Sequence, residues 1–156
     1  MPTAMNPVTI SAGIVAAMAR VKQANGYENT VKRIFEIDLV EDQIPDGALP
    51  AIFVLEDQEG ETWEPGDASM YKARLPYIIG GMINELGSDV TDPARVRRIR
   101  SFEKDVRKAL LQDPTFGGAC KESVLRKAQR VVDTDRGFAS FIIDMTVFYW
   151  FKKETL

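Results

Sequence analysis

Near the C-terminus, apolar and polar residues alternate more regularly than anywhere else in the chain. Every second residue from Ala139 to Phe151 is apolar or aromatic, and polar residues such as Asp144 fall between them. Alternation of this kind predicts a strand with one buried face. The preceding residues 133–137 end in a glycine and have the length of a hairpin connection. Residues 121–151 are therefore predicted to form a C-terminal hairpin.

Two other segments have the spacing of amphipathic helices. In residues 7–25, apolar residues recur every three or four positions, and Gly26 supplies a stop signal. Residues 93–112 follow Asp92, whose side chain suits the N-cap, and stop before Asp113. The apolar arc of this second segment consists of Val96, Ile99, Phe102, Val106, Ala109 and Leu110. We predict an N-terminal helix over residues 7–25 and a central helix over residues 93–112.

Three further strands are predicted between the two helices. Residues 30–38 are rich in β-branched and aromatic side chains, residues 49–55 form a nearly continuous apolar run, and residues 70–79 alternate. Pro76 predicts that the third of these strands lies at a sheet edge or contains a bulge. The two glycines that follow it predict an end or a bend.

The order of these elements predicts the fold class. A helix, three strands, a helix and two strands fit one α+β domain over residues 1–156. The expected architecture is a mostly antiparallel sheet of about five strands, with two main helices packed on one face. Such an arrangement would cover the long apolar face of the C-terminal strand.

Residues 56–68 form the most acidic part of the chain. They contain six acidic side chains, no basic one and no apolar periodicity. The segment is therefore predicted to be a long mobile acidic loop. It also contains Trp63, an aromatic residue typical of interface anchors, whose indole either packs against its own domain or is buried by a partner. The candidate interface acids of this loop are Glu59, Glu61 and Glu64.

The central helix carries a strongly basic face opposite its apolar arc. The outward residues are Arg97, Arg100, Lys104, Arg107 and Lys108. Arginines in the first turns of a helix oppose its macrodipole at a cost of roughly 0.3 to 1 kcal/mol each, so local helix stability does not account for them. Two interpretations are open. The face is either solvated and partly neutralised by Glu103 and Asp105, for example through a Glu103 to Arg107 pair, or it binds an anionic partner.

Composition narrows the possible functions. The chain has no histidine and a single cysteine, Cys120, so Ser-His-Asp and Cys-His catalysis and histidine-ligated zinc are excluded. No catalytic residue, metal or cofactor is predicted. The N-terminus lacks a signal-peptide pattern and no apolar run approaches a membrane span, so cytosolic synthesis without a membrane partner is expected.

Charge is distributed unevenly along the chain. The net charge is −3, but acidic residues crowd residues 28–67 and basic residues crowd residues 72–136. This polarity favours complementary contacts, either within the fold or between copies of the chain.

Several short motifs occur in a defined order. They are Ala24-Asn25-Gly26-Tyr27 after the first helix, the strand entry Leu49-Pro50-Ala51, the run Asp113-Pro114-Thr115-Phe116-Gly117-Gly118 after the basic helix, and the closing hairpin. In this order they resemble the tail-terminator, or tail-completion, proteins of long-tailed bacteriophages. The resemblance implies a non-enzymatic structural protein that forms a ring of six subunits on the end of the tail tube, stops tube growth and presents a surface to the head.

The resemblance also implies partners and a location. The partners are further copies of the chain, the tail tube protein, head-completion or neck proteins, and DNA in the channel. The implied location is the tail or neck of the virion, reached from the host cytoplasm during assembly.

Two other functions are compatible with the sequence. A sequence-independent nucleic-acid-binding module would combine the basic helix with basic residues on polar strand faces, although an isoelectric point near 5.1 counts against this as the sole role. Those strand residues are Lys72, Arg74, Arg126, Lys127 and Arg130. An enzyme using carboxylates and a divalent ion would draw on acids that also fit a solvated loop. Those acids are Glu36, Asp38, Glu41 and Asp42.

Overall fold

Helices and strands follow one another in the order that the sequence predicts, with one strand added. The computed structural model describes residues 5–37, 43–45, 47–67, 69–84, 93–133 and 138–153. The elements are α1 (Pro7–Ala19), β1 (Arg33–Phe35), β2 (Ala51–Glu56), β3 (Thr62–Pro65), β4 (Met70–Asn84), α2 (Pro93–Gln112), β5 (Glu122–Asp133) and β6 (Phe138–Lys152). A short 3-10 helix (Gln23–Asn25) follows α1.

The strands form one sheet around a long central pair. Their order is β1-β2-β4-β6-β5, and β3 pairs with the part of β4 that β2 does not reach. β4 and β6 pair along their whole length, from Met70 opposite Lys152 to Asn84 opposite Phe138. Among the described pairings only β1 with β2 is parallel. The predicted α+β class is confirmed, with six strands rather than about five.

The hydrophobic core lies between the helices and one face of the sheet, called here the helix face. The seven alternate residues of β6 from Ala139 to Phe151 are all buried, as predicted. On α2, Phe102 packs edge-on against Phe141, with ring centroids 5.5 Å apart. Burial of an apolar side chain of this size contributes roughly 1.5 to 3 kcal/mol. The face away from α1 and α2 is called the open face, and a smaller cluster around Ala48 and Phe53 covers it near β1 and β2.

α1 begins as predicted and ends earlier than predicted. The side chain of Asn6 accepts a hydrogen bond from a backbone amide of the first turn, which is N-capping. The helix stops at Ala19 instead of residue 25. Val21 is fully buried and its carbonyl accepts a hydrogen bond from the Val31 amide at 2.9 Å, so the chain has already left the helix there. The stop signal at Gly26, with φ of 89°, ends the short 3-10 helix instead.

The prediction of a loop over residues 56–68 is wrong in part, because this segment contains β3. A turn with Gly60 at φ of 80° brings the chain back along β4. β2 pairs with residues 77–82 of β4, and β3 pairs with residues 71–74. β3 therefore satisfies backbone groups that β2 leaves unpaired. All four residues of β3 are exposed, so no apolar periodicity marks the strand in the sequence.

β4 is longer than predicted and lies inside the sheet, not at its edge. Gly80 and Gly81 continue the strand between β2 and β6. The Phe141 ring covers Gly81, where an added Cβ would come within 2.2 Å of it. The Pro76 carbonyl accepts a hydrogen bond from the Asp57 amide at 2.9 Å, which places it on the side of β4 where β2 and β3 meet. The N–H that proline lacks would face the same junction, so Pro76 is tolerated inside the sheet.

α2 has the predicted bounds, the strands of the C-terminal hairpin begin and end one residue later than predicted, at Glu122 and Lys152, and β1 is shorter than the predicted strand. The predicted apolar arc of α2 is buried except for Val96, which is 43% exposed. β5 pairs with β6 as predicted, with a bulge between Leu125 and Lys127. The predicted N-cap residue Asp92 lies outside the described residues, as do residues 38–42 and 134–137.

Candidate interaction surfaces

Part of the basic face of α2 is engaged by its own chain. Lys104 Nζ lies 3.3 Å from a carboxylate oxygen of Glu28, and Lys108 Nζ lies 4.9 Å from the centroid of the Tyr27 ring. Ser101 also donates a hydrogen bond to Glu28. The pKa of the Glu28 carboxyl is lowered by the Ser101 hydrogen bond and, next, by Lys104. Two of the predicted anion-facing residues therefore already contact the segment that follows α1.

Two acids of α2 are buried, which corrects the interpretation that they lie on a solvated face. Glu103 is 1% exposed and Asp105 is 3% exposed. Arg130 of β5 donates two hydrogen bonds to one Glu103 oxygen, at 2.9 and 3.1 Å. Arg107 lies 3.9 Å from the other Glu103 oxygen, so the predicted i,i+4 pair is present. Asp105 accepts hydrogen bonds from the backbone and side-chain amides of Asn29, both at 2.8 Å.

Among the α2 side chains that the structure describes, three exposed arginines remain near the start of the helix. They are Arg97, Arg98 and Arg100, called here the arginine patch. None of them forms an ion pair or hydrogen bond with the residues that the structure describes. They lie one turn before Phe102, which packs beside Gly81 and on Phe141. The patch is therefore located toward the end of the sheet where β4 leaves for α2.

A set of acids, of which Glu56 and Glu59 are exposed and Asp57 is half-buried, lies at another place on the surface. Glu56, Asp57 and Glu59 form the turn that leaves β2, and they are called here the acidic turn. The Asp57 carboxylate accepts a hydrogen bond from the Glu59 amide at 3.1 Å, which fixes the turn. Glu56 and Glu59 form no ion pair with the described residues. The acidic turn borders β2 and β3, whereas α2 packs over β4, β6 and β5.

The Trp63 side chain, on β3, is partly buried against its own domain. It is 54% exposed, and its ring lies edge-on to Phe151 with centroids 5.7 Å apart. The indole N–H donates to the carboxylate of Glu61, which also accepts a hydrogen bond from the Tyr149 hydroxyl. Burial raises the pKa of that hydroxyl, and the bond to Glu61 raises it further. Glu61 thus connects β3 to Tyr149 of β6 within the chain, while Glu59 and Glu64 remain exposed.

The open face carries a group of cations and aromatic rings that the sequence interpretation did not assemble. Lys72 Nζ lies 5.0 Å and Lys121 Nζ 4.5 Å from the centroid of the Trp150 ring. The guanidinium of Arg74 lies 5.4 Å from the centroid of the Phe148 ring. These five residues are called here the cation-aromatic cluster. Its sequence signal is the presence of two aromatic residues, Phe148 and Trp150, at positions of β6 that alternate with the buried ones.

The other predicted basic residues of the strands divide between the two faces. Arg126 donates to the Thr146 hydroxyl at 3.3 Å, and Lys127 lies 4.0 Å from an Asp144 oxygen. Both contacts are on the open face, with Lys72 and Arg74. Arg130 is on the helix face with Glu103, so it does not belong to the same surface.

The turn after α2 is held by local hydrogen bonds. The Asp113 carboxylate accepts from the amide and hydroxyl of Thr115 and from the Gly117 amide. These bonds, led by the Thr115 hydroxyl, lower the pKa of Asp113. Cys120 follows this turn and is buried, and burial raises the pKa of its thiol to about 11. A thiol in this state is a poor nucleophile.

The described residues contain neither a group of metal-binding side chains nor a helix able to span a membrane. Among the described residues, no three acidic or cysteine side chains are grouped as a metal site. Glu36 is exposed, and the other acids proposed for a metal site, Asp38, Glu41 and Asp42, lie outside the described residues. In the part of the chain that the structure covers, no helix has both the length and the apolar character needed to cross a membrane.

Neither the protein-family models nor the curated proteins include a match to this sequence. Functional inference therefore depends on the arginine patch, the acidic turn, Trp63 and the cation-aromatic cluster.

Proposed function

We propose that the chain is a non-enzymatic structural subunit that assembles into a ring of six copies on the end of a phage tail tube. In this role it stops tube growth and presents a surface to head-completion or neck proteins, and its location is the virion. The motif order from Asn25-Gly26-Tyr27 to Gly117-Gly118 supports this role through its resemblance to tail-terminator proteins.

The observation that carries the proposal is the separation of two unpaired patches of opposite charge. A closed ring requires a heterologous interface, in which one patch of a subunit contacts a different patch of the next subunit. The arginine patch lies at the start of α2, and the acidic turn borders β2 and β3. Charge complementarity of this kind orients subunits head to tail and disfavours wrong pairings.

Energetics also favour an external partner for the arginine patch. Three neighbouring like charges in the first turns of α2 repel one another and oppose the helix dipole. No described residue offsets their charge, in contrast to Lys104 and Arg107, which have Glu28 and Glu103 as partners. An acidic turn from a neighbouring subunit would supply the missing counter-charge. Trp63, with about half of its surface exposed, would add apolar area to an interface beside that turn.

The test compares a patch variant with a charge-matched control on tail tubes. Arg97→Gln, Arg98→Gln and Arg100→Gln are combined in one variant, and Lys22→Gln, Lys32→Gln and Lys153→Gln in the control. Light scattering over a concentration series and electron microscopy of tube ends measure assembly. We expect rings for the wild-type and control proteins, and loss of rings with unchanged or slightly raised thermal stability for the patch variant, because α2 loses three unfavourable charges.

Two results would contradict the proposal. One is a wild-type protein that stays monomeric at every concentration and leaves no density on tube ends. The other is a patch variant that assembles as well as the wild type, which would show that the arginines are a solvated surface.

A further inference from the structure

The cation-aromatic cluster forms a shallow cleft on the open face, separate from the arginine patch, and Trp63 and Glu64 of β3 are among its lining residues. Lys72 of β4 and Lys121, the residue before β5, approach the Trp150 indole, and Arg74 lies over Phe148. Gly66 leaves room for the indole, because a Cβ there would lie 3.1 Å from a Trp150 ring atom. The strands, the turn at Gly66 and the two lysines therefore hold Trp150 in place.

The charged groups of Lys72, Arg74 and Lys121 lie against aromatic rings and not against carboxylates. Glu64 and Glu122 line the same cleft, yet neither lies within ion-pair distance of Lys72, Arg74 or Lys121 in the described structure. A cation over an aromatic face keeps N–H donors free for another acceptor. The cluster thus presents three ordered cations with unused hydrogen-bonding capacity.

The shape of the cleft suits a passing strand better than an enclosed small molecule. Its volume is about 240 Å³, below the roughly 300 to 1,000 Å³ typical of small-molecule sites. A second cleft shares Thr62 and Arg74 with it, but is lined by the acids Asp57, Glu59 and Asp144 as well as by Arg126. The cations available to a strand are therefore those of the first cleft, Lys72, Arg74 and Lys121.

We infer that this cluster binds single-stranded nucleic acid, with Lys72, Arg74 and Lys121 contacting phosphodiester groups and Trp150 and Phe148 contacting bases. Sequence-independent sites of this class combine a basic groove with aromatic side chains on which bases stack. An acidic peptide would use the cations but does not supply an aromatic base at every residue for the two rings. The combination on one sheet face therefore favours nucleic acid over an acidic protein segment.

The main experiment follows binding through Trp150 itself. The full chain carrying Trp63→Phe has Trp150 as its sole tryptophan. This protein is titrated with a fluorescein-labelled oligothymidine, and indole emission and anisotropy are recorded from about 50 to 200 mM salt. We expect a change in Trp150 emission on binding and a log–log salt slope of about −2, since three phosphate contacts to a single strand contribute about 0.7 each.

A paired set of variants locates the site. Lys72→Gln with Lys121→Gln should weaken binding and reduce the salt slope by about 1.4, since two phosphate contacts are lost. Lys22→Gln with Lys32→Gln makes the same change in net charge outside the cluster and should leave both unchanged. A polyglutamate peptide of equal charge is the competitor that represents an acidic protein segment.

Three results would overturn the inference. They are no oligonucleotide binding at the lowest salt, equal binding by the cluster variant and its control, and equal competition by polyglutamate. Light scattering of the same variants scores ring assembly separately. Rings formed by a protein with an intact cluster that binds no oligonucleotide would therefore refute this inference and leave the proposed function standing.

Discussion

The two adjacent glycines of β4 allow a closely matched test of the packing. A Cβ at Gly81 would lie 2.2 and 2.3 Å from two ring atoms of Phe141 and 3.1 Å from Phe102. A Cβ at Gly80 would meet its nearest neighbours at 3.6 Å, an ordinary contact distance. Phe141 is buried and packs edge-on against Phe102, so its ring cannot move without displacing the core. One position should reject alanine and the other should accept it.

The expected magnitudes are well separated. Forcing a methyl group into a filled core costs typically 1 to 3 kcal/mol, and we expect Gly81→Ala to lose about 3 kcal/mol because of the very short contacts. Alanine in place of a strand glycine otherwise gains roughly 0.5 to 1 kcal/mol, which is the expectation for Gly80→Ala. For a chain of this length, 1 kcal/mol corresponds to about 2 to 4 °C in Tm. Gly81→Ala should therefore lower Tm by about 6 to 12 °C.

Thermal and urea unfolding of the two variants measure the difference. A third protein, Gly81→Ala with Phe141→Leu, removes the ring that causes the clash. Its loss of stability should be smaller than the sum of the two single losses by about 1 kcal/mol or more. Equal stability of the Gly80 and Gly81 variants, or strict additivity in the double variant, would refute the reasoning that the Phe141 ring fills the place of a side chain at Gly81.

Three further predictions concern other parts of the structure. Arg130→Gln should lower the free energy of unfolding in urea by about 3 kcal/mol, because the buried Glu103 carboxylate is left with a poorer partner. A loss below about 1 kcal/mol would show that the pair behaves as a surface ion pair. Trp63→Ala should lower the monomer's Tm by about 2 to 4 °C, since it removes one aromatic contact with Phe151, and should also weaken assembly. An unchanged assembly midpoint would refute the interface role of Trp63. Burial raises the pKa of the Cys120 thiol from its ordinary value of 9.0 to about 11, so its contribution to stability is present below pH about 9 and is lost as pH rises through about 11; a Cys120→Ala variant with the same alkaline stability profile would contradict this.

The elements that were predicted correctly are those whose burial produces a periodic pattern. β6 could be recognised because one of its faces is buried along its whole length. The central helix could be bounded because Pro93 and Asp113 mark its start and stop. β3 could not be recognised, because an edge strand with four exposed residues has no apolar period.

The candidate site was harder to predict than the fold, because its contacts join residues far apart in sequence. Helix periodicity correctly placed the basic face of α2. It could not show that Glu103 is buried, because its partner Arg130 lies 27 residues away on β5. In the same way, Lys72 and Lys121 come together only because β4 and the start of β5 flank Trp150 of β6. Pairing between strands is set by the whole sheet and not by local spacing.

Exchange of charge between the two patches tests the head-to-tail contact most directly. One variant carries Arg97→Glu and Arg100→Glu, and the other carries Glu56→Lys and Glu59→Lys. Each variant alone places like charges at the proposed interface. In a mixture, the reversed arginine patch of one variant faces the reversed acidic turn of the other, and the two native patches also face each other.

The decisive measurement is the particle mass of each variant and of their equimolar mixture, with tail tubes added wherever the wild type needs them. The account predicts that each variant alone stays at the subunit mass of 17.4 kDa. It predicts that the mixture regains the wild-type particle, a ring of about six subunits in which the two variants alternate. Rings formed by either variant alone, or a mixture that remains monomeric, would contradict the claim that the arginine patch binds the acidic turn of the next subunit.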